Sequence, residues 1–264
     1  MDLKLKGKTA LVTGSTAGIG FGIARRLLQE GASVVINGRT ETRINSALDQ
    51  LRRAIPDCTV QGCAADFADA DAVQHLLDEH DSIDILINNV GIFAPKPFAE
   101  ITDEEWLHFF EVNVLSGVRL SRHYLPQMLD QNWGRIIFIS SESGIQIPAE
   151  MVHYGTTKTA QLGVSRGLAQ QTAGTNVTVN TVIPGSTRSE GSEKFISDLA
   201  QERGLSKEDV EREFFEKIRP TSLLERFATI DEVATFVTYL ASPLAAANNG
   251  AALRVDGGTV STIL

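Results

Sequence analysis

Tyr154 and Lys158 stand four residues apart in Tyr154-Gly155-Thr156-Thr157-Lys158, a spacing that on a helix sets both side chains on one face. A free tyrosine, with a pKa of about 10, is a poor acid or base at neutral pH. A neighbouring ammonium favours the phenolate and brings the phenol toward the range where general acid and base catalysis works. Upstream, Ser141 follows the apolar run Ile136-Ile137-Phe138-Ile139-Ser140. That run reads as a buried parallel strand whose carboxyl end presents the Ser141 hydroxyl at the sheet edge. Together the three side chains make a proton-transfer site. A Tyr and a Lys at this spacing are also what an ordinary helix-surface pair looks like, so the weight rests on the elements around them.

Those elements repeat as strand, helix, strand. Apolar runs at residues 9–13, 33–37, 59–65, 83–88, 135–140, 177–183 and 251–255 give seven strand candidates. Segments of helical period lie between them, with Ile23, Leu27 and Leu28 on one stripe and Val73, Leu76 and Leu77 on another. The fold class is therefore α/β: a single doubly wound (Rossmann) domain spanning residues 1–264, with a seven-stranded parallel sheet covered by helices on both faces. The first strand runs into Thr13-Gly14-Ser15-Thr16-Ala17-Gly18-Ile19-Gly20, followed by a helix over residues 21–30. Gly14 permits the tight turn, Gly18 lets a pyrophosphate approach the main chain, and Gly20 lets the helix pack closely on the strand. The spacing departs from G-x-G-x-x-G, and three glycines can also serve a strand-to-helix turn with no ligand.

With 42% hydrophobic and 22% charged residues, the composition is that of a globular domain, without repeats or low-complexity tracts. The amino terminus carries lysines but no apolar stretch behind them, and no long apolar run follows. A cytoplasmic protein without a membrane partner is expected. Lys plus Arg number 24 against 33 Asp plus Glu, a net charge of −9, which repels a phosphate backbone and excludes nucleic acid as an expected partner. Cys58 and Cys63 are the only cysteines. On one extended strand they would face opposite ways, and with no close histidine they make a poor zinc site, so no metal is expected.

An ordered set of motifs runs through the chain: the turn at residues 13–20, Asp66, Asn88-Asn89-Val90-Gly91, Asn113, Ser141, Tyr154 with Lys158, Pro184-Gly185, and Val255-Asp256-Gly257-Gly258. In this the chain resembles the short-chain dehydrogenase/reductase family over nearly its whole length, close in layout to 3-oxoacyl-[acyl-carrier-protein] reductases. The resemblance implies a catalytic set of Asn113, Ser141, Tyr154 and Lys158. Tyr154 would donate and accept the proton, and Ser141 would hold the substrate carbonyl or alcohol. Lys158 would also bind the nicotinamide ribose, and Asn113 would support a water-linked proton relay to Lys158. It further implies a dinucleotide held by Gly14, Ser15, Thr16, Gly18, Ile19, Gly20, Arg39, Asp66, Phe67, Asn89, Val90, Gly91, Tyr154, Lys158, Pro184, Gly185 and Thr187. Asp66 would bond the adenine amino group with Phe67 beside it, or cap the helix over residues 69–79. Of Asn88 and Asn89, one amide ties strands together and the other faces the cofactor, a role given to Asn89. Val90 stands where the family usually has alanine.

Two features bear on the choice of dinucleotide. Ala17 replaces the basic residue often seen before the second motif glycine in NADP-preferring members. At the end of the second strand, however, Asn37-Gly38-Arg39 lacks the carboxylate that would bond a ribose 2′-hydroxyl and offers Arg39 to a 2′-phosphate. NADP(H) is favoured, with NAD(H) possible, and Arg39 as a solvated turn residue is the alternative.

Residues 186–230 form a charged insertion, read as a substrate lid or as helices packing at a subunit edge. A capping-type start at Ser206 precedes a stripe of Val210, Phe214 and Ile218. An acidic carrier protein needs a basic docking patch. Residues 130–133 and 170–173, taken as the rims of the site, are not basic, which favours a free small molecule. His153 is expected at the surface or the substrate rim. The expectation is an NADP(H)-dependent oxidoreductase interconverting a small-molecule carbonyl and a secondary alcohol. Carrier-bound 3-oxoacyl reduction is the alternative within the class, and a non-catalytic dinucleotide-binding regulator the alternative outside it. By resemblance the apolar tail at residues 255–264 packs on a neighbouring subunit in a homotetramer or homodimer.

Overall fold

The computed structural model describes residues 1–263. Its main sheet holds β1 (Thr9–Val12), β2 (Ser33–Gly38), β3 (Val60–Ala64), β4 (Ile85–Asn88), β5 (Gly134–Ile139), β6 (Val177–Pro184) and β9 (Ala252–Val255), all parallel, in the order β3-β2-β1-β4-β5-β6-β9. All seven expected strands form. Two further strands of two residues each, β7 (Thr187–Arg188) and β8 (Ala228–Thr229), pair only with each other. Sequence gave no signal for them, because two residues are too few to show a period.

Alternation along the strands divides the core in two. Val12, Ile36 and Ile87 face α1 (Gly18–Gln29), α2 (Glu41–Ala54) and α9 (Ile230–Ala241), meeting Ile23, Leu27, Ile44, Leu51, Val233 and Val237. Their strand neighbours Leu11, Val35 and Leu86 face the other way, toward Val73 and Leu76 of α3 (Ala70–Glu79) and Leu120 and Tyr124 of α5 (Ser116–Asp130). Each such side chain contributes roughly 1.5–3 kcal/mol on burial. Because β4 lies beside β1 while β2 continues on the other side, the chain order reverses between β1 and β4. A crevice therefore opens at their carboxyl ends, where ligands of such sheets bind.

Two π-helical turns interrupt the regular helices. One, Glu111–Leu115, joins α4 (Asp103–Phe110) to α5. The other, Phe214–Ile218, ends α8 (Lys207–Glu213). It widens the expected stripe: Val210 stays buried, Phe215 turns fully inward beside the partly buried Phe214, and Ile218 is exposed. With α7 (Glu190–Arg203), this segment builds a small core of its own from Ile196, Ala200, Val210, Phe215 and Phe227. Among the described residues no helix is long and apolar enough to cross a membrane.

Candidate active site

The glycine turn after β1 is shaped by close approach. Gly14 and Gly18 take φ of +59°, a left-handed conformation natural to glycine. A Cβ at Gly20 would lie 2.5 Å from both the Gly14 oxygen and Asn89 Nδ2. Helix α1 starts at Gly18, a turn earlier than expected, and its amino terminus has neither a side-chain cap nor an acidic residue in the first turn. By contrast α2, α3, α4, α7, α8 and α9 are capped by Thr40, Asp69, Thr102, Ser189, Ser206 and Thr229. The free N–H groups of α1 suit an anion such as a pyrophosphate.

A cleft of about 300 Å³ beside this turn brings together Gly14, Thr16, Arg39, Asp66, Phe67, Asn89, Val90 and Gly91. The other expected contacts lie around it. Ser15 is fully buried, its hydroxyl donating to the Val12 oxygen at 2.6 Å and accepting from the Asn37 N–H at 2.9 Å. Ile19 packs against the core. Pro184 ends β6, with Gly185 and Thr187 just beyond it; Gly185 is pressed so closely on Asp256 that a Cβ would lie 2.6 Å from the Asp256 oxygen. Arg43, in the first turn of α2, borders the cleft with Arg39 and was not anticipated.

Three readings of this region change. Asp69, not Asp66, caps α3, accepting from the N–H groups of Asp71 and Ala72. Asp66 instead accepts from the Ala68 N–H at 3.0 Å and faces the cleft. Asn89 itself ties strands together while bordering the cleft, since its amide donates to the Thr13 and Gly14 oxygens at 2.9 and 3.0 Å. Asn88 donates to the Ser121 hydroxyl at 3.3 Å.

The proton-transfer residues meet at the carboxyl end of β5. Tyr154 and Lys158 lie on α6 (Val152–Gln170). That helix is bound to the strand end by Ser140 Oγ donating to the Lys158 oxygen at 2.9 Å and Thr159 Oγ1 donating to the Gly144 oxygen at 2.7 Å. The Lys158 ammonium sits 5.7 Å from the centre of the Tyr154 ring and donates to the Ile139 oxygen at 3.0 Å. Burial pushes Lys158 down to about 8. Burial also pushes the Tyr154 phenol up to about 12, with the Ser141 hydroxyl bond lowering it, Glu142 raising it and Arg219 lowering it. The expected lowering of Tyr154 by Lys158 is not found. Desolvation of the phenol dominates, and the same desolvation weakens the ammonium.

Asn113 lies in the π turn before α5 and is buried. Its side chain accepts from the Ile92 N–H at 2.8 Å and donates to Thr157 Oγ1 at 2.9 Å. Its main-chain oxygen accepts from Gln161 Nε2 at 2.6 Å, and Lys158 Nζ donates to Gln161 Oε1 at 3.4 Å. A side-chain amide thus links Asn113 to Lys158. Gln161 follows Tyr154 and Lys158 on the same helical stripe, which is the sequence signal that could have found it.

Ser141 adjoins a pair that the sequence reading missed. Its Oγ donates to Glu142 Oε2 at 2.5 Å, and Glu142 Oε1 accepts from Arg219 Nε at 2.9 Å, both charges being nearly buried. Beside this pair opens a cavity of about 500 Å³, walled in part by Glu142, Ile147, Glu150, Lys217 and Arg219.

Three further expectations are corrected. His153 is buried rather than at a rim, its ring centred 4.1 Å from that of Phe109, and burial lowers its pKa. Residues 130–133 and 170–173 precede β5 and β6, at the strand ends opposite Ser141, so they are not rims of the site. Both cysteines are free, but Cys58 lies outside β3, and Cys63 does have a histidine near: it donates to Glu79 at 3.5 Å with His80 alongside. Burial pushes the Cys63 thiol up to about 12, which keeps it protonated.

Comparison with known proteins accords with this geometry. Residues 8–200 match the pattern of the short chain dehydrogenase family. The chain belongs to that family. The oxidoreductase YvaG of Bacillus subtilis is 48% identical over the full length of both chains. A 3-oxoacyl-[acyl-carrier-protein] reductase of Aquifex aeolicus is 33% identical, covering 98% of this chain and 99% of its own. Among solved structures, the L-sorbose reductase of Gluconobacter frateurii, complexed with NADPH and L-sorbose, aligns over 100% of both chains with a TM-score of 0.94 and 30% identity. The protein is thus an NAD(P)-dependent dehydrogenase/reductase of the short-chain family, and the reading as a non-catalytic regulator falls away.

Proposed function

We propose that this short-chain dehydrogenase/reductase interconverts a small-molecule carbonyl and a secondary alcohol with NADP(H). The observation that carries the reading is the meeting of Ser141, Tyr154 and Lys158 at the carboxyl end of β5, beside the crevice that starts at the glycine turn. When bound, the nicotinamide supplies or accepts the hydride. Gly14, Thr16 and the uncapped start of α1 suit its pyrophosphate, Asp66 and Phe67 its adenine, and Asn89, Val90 and Gly91 its ribose path. The exposed Arg39 and Arg43 at the cleft suit a 2′-phosphate, in the absence of any carboxylate at the end of β2.

The chain's own residues do the rest. Tyr154, held protonated at neutral pH, gives its proton to the substrate oxygen in reduction and recovers one from it in oxidation. Ser141 hydrogen-bonds the same oxygen as charge develops on it. Lys158 replaces the proton at Tyr154 and is recharged from solvent, while Gln161 holds its ammonium in place, accepting from Lys158 Nζ and donating to the Asn113 oxygen. Residues 186–230 act as a lid, since Arg219, at the end of its π turn, reaches Glu142 next to Ser141.

A free small molecule suits the cavity better than a carrier-bound chain, because Glu142 and Glu150 stand in its wall beside Lys217 and Arg219 and offer an acidic carrier no uniformly basic dock. The solved relative complexed with L-sorbose and NADPH supports the same choice. The assembly proposed is a homotetramer or homodimer. A panel of ketones assayed by loss of nicotinamide absorbance, with NADPH and with NADH, tests the reading: turnover with NADPH is expected, and turnover with NADH alone contradicts the assigned dinucleotide.

A further inference from the structure

Glu142 is only 5% exposed, yet it bonds Ser141 and walls the adjoining cavity. Its Oε1 accepts from Arg219 Nε at 2.9 Å. Its Oε2 receives three donors: Ser141 Oγ at 2.5 Å, Ser143 N at 2.7 Å and Ser143 Oγ at 3.1 Å. The two Ser143 contacts are local to the turn that carries Glu142. The shortest, from Ser141, is the one that chemistry must disturb. A serine hydroxyl has one proton, and here that proton points at Glu142. To bond a substrate carbonyl, Ser141 must turn it away.

A substrate whose only polar group is the carbonyl makes this exchange unfavourable. It takes the Ser141 proton, returns no donor to a nearly buried carboxylate, and places an oxygen that becomes negative beside a fixed negative charge. A substrate with a hydroxyl on the carbon next to the carbonyl makes the exchange even. Its carbonyl oxygen accepts from Ser141, and its hydroxyl donates to Glu142 Oε2 in place of the serine. Oxygens on adjacent carbons sit at hydrogen-bond spacing from each other, which matches the 2.5 Å between Ser141 Oγ and Glu142 Oε2. The cavity that Glu142 walls has room for such a molecule, and its other polar wall groups, Gln146, Glu150 and Lys217, suit further hydroxyls.

Resting on the carbonyl–alcohol reading above, we propose that the substrate is an α-hydroxy ketone, or in oxidation a vicinal diol, and that Glu142, held by Arg219, is the residue that selects it. Hydride goes to the carbonyl carbon and the proton from Tyr154 to its oxygen. The neighbouring hydroxyl keeps its own proton throughout, and Glu142 neither gains nor loses one.

Matched ketones test this on the wild-type enzyme: acetoin against butanone, and hydroxycyclohexanone against cyclohexanone, each assayed with saturating NADPH. The expected preference in kcat/KM for the hydroxylated member exceeds about tenfold, the low end for a hydrogen bond to a charged group, and Glu142→Gln brings it below that line. A wild-type preference under tenfold overturns the inference while leaving carbonyl reduction standing. A preference that Glu142→Gln keeps overturns the role given to Glu142. Turnover of neither member of either pair, by enzyme shown to bind NADPH, overturns the carbonyl–alcohol reading and this inference with it.

Discussion

Gln161 Nε2 lies 2.6 Å from the main-chain oxygen of Asn113, while its Oε1 accepts from Lys158 Nζ at 3.4 Å. A buried amide thus links the π turn to the ammonium. The isosteric Gln161→Met keeps the packing and removes both bonds. Losing an acceptor disfavours the charged lysine, so the pH midpoint assigned to Lys158 moves down by at least about half a unit, equivalent to about 0.7 kcal/mol. Gln161→Glu restores an acceptor and adds a negative charge, so its midpoint moves up. Profiles of kcat against pH decide the matter. If neither variant shifts the midpoint, Gln161 only packs.

Lys158 carries a pH prediction of its own. Burial lowers it to about 8, so in the free enzyme it is charged below that pH and neutral above it. If its ammonium holds the dinucleotide ribose, NADPH affinity is constant below pH about 8 and falls as pH rises through it. Fluorescence titration of NADPH across this range checks the sign. Lys158→Met should bind NADPH more weakly and show no midpoint there. A wild-type affinity that is flat to well above pH 8 removes Lys158 from cofactor binding.

Much of this arrangement is legible from sequence because it is local. Tyr154, Lys158 and Ser141 announce themselves through a helical spacing and a strand end, and the seven strands through apolar runs. What stays hidden is what depends on distant chain meeting. Glu142 and Arg219 are 77 residues apart and become partners only once the segment after β6 has folded back across the strand ends. A π turn adds a residue to a helical turn, so it buries Phe215 beside Phe214 and leaves Ile218 exposed, where a regular stripe points to Phe214 and Ile218. Asp66 and Asp69 are three residues apart and both able to cap, and only the backbone shows that Asp69 does so. The segments at 130–133 and 170–173 were open to placement from sequence: each precedes a parallel strand, β5 or β6, which sets it at the end opposite Ser141.

Arg39 and Arg43 face one cleft that lacks a carboxylate at the end of β2. NADPH should bind at least about tenfold more tightly than NADH, and Arg39→Ala should narrow that gap, each tenfold being about 1.4 kcal/mol. Calorimetric titration with both dinucleotides measures it. Equal affinities in the wild type would leave Arg39 as a turn residue.

The carboxyl tail bears on assembly. Val260 is buried within its own chain, and Arg254 donates to the Val260 and Thr262 oxygens, while the Ile263 side chain is 94% exposed; Leu264 lies outside the described residues. By resemblance such tails pack on a neighbouring subunit. Light scattering should give a multimer for the full chain and a smaller or weaker one for a chain ending at Val260. A monomeric full-length protein at micromolar concentration contradicts the assembly.

The central claim is that Tyr154 hands the proton to the substrate oxygen. It is tested most directly by single-turnover oxidation of NADPH in the presence of a carbonyl substrate, comparing wild type with Tyr154→Phe. The account predicts a loss of at least about a hundredfold in the rate of the chemical step, the low end for removing a general acid, with NADPH affinity unchanged within about twofold. A Tyr154→Phe enzyme that oxidises NADPH at the wild-type rate would contradict it.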